Sequence, residues 1–378
     1  MAKTQYMDLD EALASRLIKY YTKVILDRQF PDVRDGLKNV QRRILYTMHR
    51  EGNSSSKKFT KSMRITGNVS RIHQHGDVYE SMTNLISPYS IMQPLIEGHG
   101  AFHNILGKDS AASRYTEARL NKFSEECILK GVDKKIAPFK PDFDQTGLEP
   151  VFLPAKVPLL LINGVTAIGA GGFSSYLPPH NYKDVVAYMC DLIDHPDKDG
   201  RALIRDNNLY PDFPSGGIMD KTDIEDYYET GSGNFKVYAK VELDTDSESN
   251  YDIIRITELP YGTRLAQDII EPLVALTKGK STPTSKVINK DLKEEYSIIK
   301  NLRNKSSKGK HVDFSILVAK GTDLQALVAK LNGRLKGLRN TIIVNMNFPN
   351  GNKLVQYTSL KDVATDWLIS RRTVILNE

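Results

Sequence analysis

The sequence predicts an α+β chain of more than one domain, and three observations predict it. Apolar residues recur at helical spacing near the N-terminus, in Leu9, Leu13, Leu17, Tyr20, Val24 and Ile25. Far downstream, Lys236 to Leu243 and Tyr251 to Leu259 alternate apolar and polar residues as strands do. Between them, a proline-rich stretch from Pro138 to Pro158 marks a boundary. At 378 residues the chain has room for two or three domains with full cores.

The first helix is expected over residues 8–28, stopped by Phe30-Pro31. Leu37 to Arg50 reads as a second helix whose buried stripe is Leu37, Val40, Ile44 and Met48. Lys38, Arg42 and their neighbours fall off that stripe, toward solvent or a polyanion. After the polar link Gly52 to Lys58, helical patterns run over 60–72 and 78–86, separated by the turn His75-Gly76-Asp77. Strand candidates follow at Pro94 to Glu97 and Ser113 to Leu120. Two short helices joined by a turn, with strands after them, is the plan of a winged helix-turn-helix.

Beyond Pro158 the pattern is mixed. The two alternating segments flank the polar turn Asp244 to Asn250, a hairpin signal. Thr263 to Lys278 and Asp323 to Leu338 read as helices, Val312 to Val318 as a strand, and Lys361 onward as a further helix. No internal repeat is present.

Net charge is +6, yet ten cationic side chains against three carboxylates crowd residues 31–75, a local charge of +7. Such a segment suits a polyanion. No apolar run reaches the roughly 20 residues needed to span a bilayer; the longest, Val157 to Gly172, is broken by Pro158, Asn163 and glycines. The N-terminus lacks a secretory signal core, and the two cysteines, Cys127 and Cys190, make neither a disulfide framework nor a zinc site. An intracellular protein with reduced, structural cysteines is the expectation.

The chemistry concentrates in Ala111-Ala112-Ser113-Arg114-Tyr115-Thr116-Glu117. A phenol can attack a phosphodiester and become esterified to it, once something assists loss of its proton. A guanidinium next to it can stabilise the charge gathering on the phosphoryl oxygens. On its own an Arg-Tyr pair is more often an exposed base beside a half-buried aromatic. His73 and His75 lack a nearby third metal ligand. Gly169 to Gly172 has no following Gly-Lys-Ser/Thr, which excludes a phosphate loop.

An ordered set of blocks surrounds the Arg-Tyr pair: Phe30-Pro31-Asp32-Val33-Arg34-Asp35-Gly36-Leu37-Lys38, Val40-Gln41-Arg42-Arg43-Ile44-Leu45-Tyr46, His73-Gln74-His75-Gly76-Asp77, Glu97-Gly98-His99-Gly100-Ala101-Phe102 and Leu177-Pro178-Pro179-His180-Asn181. With these blocks the sequence resembles the breakage-reunion subunit of type IIA DNA topoisomerases, the family of DNA gyrase A and topoisomerase IV A subunits. The resemblance runs from about residue 8 to the end.

It implies an N-terminal helical arm (1–30), a winged-helix DNA-gate domain with the catalytic tyrosine (31–155), an α/β tower domain (156–358) and the start of a coiled-coil arm (359–378). It implies Tyr115 as nucleophile toward a DNA 5′-phosphate, Arg114 as its charge stabiliser, and Arg34 and His75 lining the cleavage site. Lys38, Arg42 and Arg43 would face the DNA backbone with His73, and Ile168 would wedge into a base step. For Arg34 the neighbouring Asp35 offers a plain ion pair instead; for Ile168 a core position is the alternative.

Nothing in the chain resembles an ATPase or an acidic metal domain. The resemblance therefore implies that ATP and Mg²⁺ sit mainly on a partner carrying ATPase and TOPRIM domains, with double-stranded DNA and a homodimer through the DNA gate as further partners, in the cytoplasm. Val78-Tyr79 follows the His-Gly-Asp turn directly, without the serine associated with quinolone binding. That divergence, and a chain stopping at Glu378 before an exit gate, resemble compact bacteriophage subunits. The competing readings are a non-catalytic winged-helix DNA-binding protein and a tyrosine recombinase.

Overall fold

Helix α1 (Leu9–Val24) ends in one wider π turn, Ile25–Gln29, before the chain reaches Phe30-Pro31. Among its described side chains Leu13, Leu17, Ile18 and Tyr20 are exposed and Tyr21 and Val24 half-buried, while Ile25 and Phe30 beyond it enter a small cluster with Ala167. The computed structural model describes residues 9–74, 78–142, 145–245, 250–280, 289–307 and 312–378.

The next helices are α2 (Asn39–Arg50), α3 (Ser62–Val69) and α4 (Val78–Ile86). They pack with a three-stranded antiparallel sheet of β1 (Thr60–Lys61), β2 (Ile96–His99) and β3 (Glu117–Leu120), with β3 in the middle. The expected stripe of α2 is buried at Leu37, Ile44 and Met48, joined by Leu45. The pattern over 60–72 begins as strand rather than helix, because Thr60 and Lys61 pair with Ala118 and Glu117.

A hairpin of β4 (Phe139–Pro141) and β5 (Leu148–Pro150) follows. The short α5 (Leu159–Asn163) is buried through Ile162, and its neighbour Gly36 takes φ +68° with no space for a side chain: an added Cβ would lie 2.4 Å from Leu160 N. A five-stranded sheet comes next, in the order β6-β7-β14-β9-β8: β6 (Val165–Ile168), β7 (Ser174–Leu177), β8 (Ile218–Met219), β9 (Ser232–Tyr238) and β14 (Arg339–Asn345). Its helices are α6 (Tyr182–Asp194), α7 (Gly200–Asp206) and α8 (Ile224–Thr230). Their apolar residues join those of α2 to α4 in one continuous cluster.

A second cluster fills the four-stranded sheet β10-β11-β13-β12, made of β10 (Lys240–Asp244), β11 (Tyr251–Glu258), β12 (Ile299–Asn304) and β13 (Phe314–Ala319). The expected hairpin is there, antiparallel between β10 and β11. Helices α9 (Glu271–Thr277), α10 (Lys290–Glu295) and α11 (Leu324–Arg334) accompany it. The expected helix over 263–278 starts as a π turn, Leu265–Ile270, and continues as α9. Ile105, from the loop before β3, is also buried in this second cluster. Its carbonyl accepts from Leu265 N at 2.9 Å, and Gly107 O accepts from Gln267 at 2.8 Å. The chain closes with the hairpin β15 (Asn347–Asn350) and β16 (Lys353–Gln356), then α12 (Leu360–Leu376), whose N-cap Ser359 accepts from Asp362 N.

Among the described residues no helix is long and apolar enough to cross a membrane. Cys127 is half-buried and Cys190 exposed, both unpaired.

Candidate functional site

Tyr115 lies in a turn just before β3, not within the strand, and 66% of it is exposed. The turn is closed by Tyr115 N donating to Ala112 O at 2.9 Å. Thr116 pins it from behind. Fully buried, it accepts from Ser62 N through its carbonyl at 2.9 Å, donates to Ser62 Oγ at 2.8 Å, and lies 2.9 Å from Tyr79 Oη. Tyr79 Oη also donates to Ala111 O at 2.6 Å, and Met63 N to Ser113 O at 3.2 Å. The backbone is thus held on both sides while the phenol projects outward. Arg114 is exposed beside it, with Cζ 4.6 Å from the ring centroid. Local sequence gives no sign of Ser62, Tyr79 and Thr116 as supports, since each acts through a hydrogen bond spanning tens of residues.

The other expected site residues divide. Arg34 is bound to Asp32, not Asp35: Nε–Oδ1 is 2.9 Å and Nη2–Oδ2 2.7 Å, with the guanidinium 4.4 Å over the Phe152 ring. Asp35 is taken by Arg42, through Nε at 2.6 Å and Nη2 at 2.9 Å, and also accepts from Leu37 N and Leu153 N. Both partners of this pair are buried. Burial works against the Arg42 charge, but Asp35, aided by Asp32 and Glu149, outweighs it and strengthens its hold on the proton. The expectation that Arg42 points to solvent or DNA is therefore corrected: a loop covers that side of α2.

Arg43 is also engaged, donating to Glu149 from Nε at 2.6 Å and Nη2 at 2.8 Å. Its Nη1 donates to His73 Nδ1 at 2.9 Å, which places the His73 proton on Nε2. His73 is buried. Lys38 is largely desolvated, and burial lowers its affinity for a proton. It lines a cavity of about 710 Å³ with Glu80, His103 and Asp109. His75 lies outside the described residues. Among the described residues, the partners of Arg34 (Asp32 and Phe152) are not those of Tyr115.

Ile168 stands at the end of β6 with 74% of its surface exposed, so the core alternative fails. The apex beyond it is tied down by Gly169 N donating to Phe173 O and Ala170 N to Gln29 Oε1 at 2.7 Å. Gly169 to Gly172 thus shapes a hairpin end.

The surroundings of Tyr115 do not fit a resident metal. The adjacent carboxylate, Glu117, is occupied by Lys61 at 2.8 Å and His99 at 3.2 Å, and these hydrogen bonds hold it below the usual carboxylate range. Among the described residues no group of three or more His, Cys, Asp or Glu side chains gathers to hold a metal.

A family model for the A subunit of DNA gyrase/topoisomerase IV matches residues 28–378. The chain is 34% identical over 388 residues to the A subunit of DNA topoisomerase 4 from Rickettsia felis, covering 99% of this chain and 49% of that protein. It is 42% identical over 259 residues to the topoisomerase 4 A subunit of Bacillus subtilis, 68% of this chain and 32% of the relative. With the A subunit of DNA gyrase from Campylobacter jejuni it shares 39% over 280 residues, 73% and 32% respectively. At most, then, the chain spans about half the length of these relatives. They are cellular proteins and lend no support to a viral origin. An exposed tyrosine, held by its backbone beside an arginine, thus sits inside a match covering nearly all of the sequence: the chain belongs to the family of DNA gyrase and topoisomerase IV A subunits.

Proposed function

We propose that this chain is the DNA-cleaving and religating subunit of an ATP-dependent type II DNA topoisomerase. The observation that carries the reading is Tyr115, exposed on a turn whose backbone is fixed by Thr116 and Ser62, with the Arg114 guanidinium beside it. The phenolic oxygen attacks phosphorus, an O–P bond forms, and the bond to the 3′ oxygen breaks. The phenol's proton leaves and the 3′ oxygen gains one, so resealing is the same exchange in reverse. Arg114 is placed to stabilise charge on the phosphoryl oxygens.

On this reading α2, α3, α4 and the three-stranded sheet form the winged helix, with residues 156–358 the tower and α12 the beginning of the arm. Two copies meet at the DNA gate in the cytoplasm, each cutting one strand. Ile168, exposed at a braced apex, suits a wedge into a base step. ATP and Mg²⁺ belong to a partner with ATPase and TOPRIM domains; when bound, the metal supplies positive charge beside the scissile phosphate. Arg42 and Arg43 are held within the fold by Asp35 and Glu149.

Trapping the covalent adduct, with the partner added, tests the reading. Tyr115→Phe should abolish the adduct and leave duplex binding nearly intact, because the ring survives without its nucleophilic oxygen. Adduct from that variant would sink the assignment. A non-catalytic binder gives no adduct from the unaltered chain, and a recombinase gives a 3′-phosphotyrosyl linkage instead of a 5′ one.

A further inference from the structure

The loop between β2 and β3 carries the Tyr115 turn at one end, and its tip is held by a different layer of the molecule. Rungs of its own cross it: Ala111 N donates to Ala101 O at 2.9 Å, His103 N to Ser110 Oγ at 2.9 Å and Asn104 N to Lys108 O at 3.1 Å. His103 Nε2 lies 2.7 Å from Ser90 Oγ, which braces the ladder against the chain just beyond α4. Residues 261–267 clasp this structure. Leu265 N donates to Ile105 O at 2.9 Å, Gln267 Nε2 to Gly107 O at 2.8 Å, and Tyr261 Oη to Ser90 O at 3.0 Å. Arg264 stands 3.5 Å from Asp109. Ile105 is buried in the second apolar cluster, where every other buried member lies at residue 239 or beyond. Gly107 takes φ +91°, and an added Cβ would run into the Gln267 amide, so the tip fits its clasp only without a side chain.

The Tyr115 turn thus has two supports of different origin. Its Thr116 side rests on Ser62 and Tyr79, beside α2 to α4. Its Ala111 side rests on Tyr79 and on a ladder whose far end belongs to the four-stranded layer. We infer that Ile105 and Gln267 are positioning residues for the cleavage step, setting through the ladder where the Tyr115 phenol stands relative to the phosphate. The inference rests on reading the chain as one that cleaves DNA; it adds which residues remote from Tyr115 the attack depends on. The leverage is geometric, because oxygen and phosphorus must come within about 3–3.5 Å and an error of about 1 Å can cost about a hundredfold. A cross-braced ladder released at its tip moves as a unit and takes Ala111 with it.

The test uses the full chain with its partner and Mg²⁺. It reads the rate of 5′-adduct formation at saturating duplex, the duplex concentration giving half that rate, and amide hydrogen exchange at Ala111 and Tyr115. Gln267→Met removes the donor at similar size; the rate should fall about tenfold while the half-saturating concentration stays within about twofold. Gln267 is exposed, so this variant keeps its fold whatever befalls the deeper one. Ile105→Ala, which empties the plug's seat, should lower the rate about a hundredfold. In both, exchange at Ala111 and Tyr115 should quicken about fivefold. Gln267→Lys restores a donor and should recover most of the rate. Lys330→Met, which breaks the pair with Glu295 on the same layer, should change neither rate nor exchange. An unchanged rate in Gln267→Met, a loss that appears in the half-saturating concentration instead, or equal damage from Lys330→Met would overturn the inference. Exchange separates it from the catalytic reading. If the unaltered chain forms the adduct and the variants match it, the clasp falls alone. If no adduct ever forms but exchange quickens in Gln267→Met, the hold on the turn stands and the catalytic reading falls.

Discussion

Two adjacent basic segments, α2 and the stretch from Lys57 to Arg71, look alike in sequence and do opposite things in the fold. On α2 the guanidinium groups of Arg42 and Arg43 point into carboxylates, and Lys38 is desolvated in a cavity wall. In β1 and α3 the cations stay in water, apart from Lys61 with Glu117. A count of positive charge therefore overstates what is available to a ligand. What matters is how much of that charge already has a partner, because a buried, paired cation is part of the scaffold and a solvated one is free to exchange.

The sharpest way to break this comparison is Asp35→Asn. Four donors converge on this fully buried carboxylate, so neutralising it strands Arg42 and should cost about 3–5 kcal/mol in a denaturant titration. A loss below about 1 kcal/mol would show α2 to be far less internal than its contacts suggest.

A buried group outside both segments checks that burial carries such weight here. His180 is fully buried, with Nδ1 2.7 Å from Leu161 O and Nε2 2.5 Å from Tyr228 Oη. Burial lowers its pKa from 6.5 to about 4. As pH falls through that window the unfolded chain takes up a proton that the folded one refuses. Stability should then decline by about 3 kcal/mol in all. Unfolding of the native chain and of His180→Gln, compared at pH 7 and pH 4.5, would show it; equal pH dependence in both removes His180 as the cause.

Glu149→Gln is a milder cut, leaving the Arg43 guanidinium without its charged partner while keeping an acceptor in place. About 1.5–3 kcal/mol of stability should be lost, as for hydrogen bonds to charged groups. If DNA affinity rises as stability falls, Arg43 has been released toward phosphate, and the two segments differ less sharply than their contacts indicate. The smallest effect belongs to Arg64→Gln, which should stay within about 0.5 kcal/mol in the same titration, since the side chain is exposed and has no hydrogen-bond or ion-pair partner among the described residues. A loss of about 2 kcal/mol would assign Arg64 to the scaffold instead.

The sequence made some of this legible and hid the rest for a physical reason. The stripe of α2 and the β10–β11 hairpin follow from local periodicity and turn chemistry, whereas the Arg-Tyr pair, expected within a strand over 113–120, stands in the turn before it. The partners of the α2 cations do not follow from either. Glu149 is 106 residues from Arg43, and the Leu153 amide that helps hold Asp35 is 118 residues away. Helical periodicity shows which face of α2 meets the core, but not that a loop and a hairpin cover the opposite one. Pairing at short range also misled: Arg34 has carboxylates on both sides in sequence, and the loop geometry gives it Asp32 while turning Asp35 inward. Over 60–72, cross-strand pairing to β3 overrides the helical pattern at its first two residues.

Ile105 has a consequence for the order in which the molecule is assembled. Its loop, the one that leads into the Tyr115 turn, is anchored by Leu265 and Gln267, and the Gly107–Gln267 bond closes a span of 160 residues. Long spans of this kind close late, because the entropy of bringing distant segments together must be met before the contact can form. A ribosome adding roughly 5–20 residues per second reaches the anchor on the order of ten seconds after it has made the loop. The helices α2 to α4 can collapse on their own strands in that interval, but the loop tip has nowhere to dock until the π turn after Arg264 exists. The Tyr115 turn itself is closed by a local bond, Tyr115 N to Ala112 O, whereas the restraint on its loop waits for residues made 160 positions later.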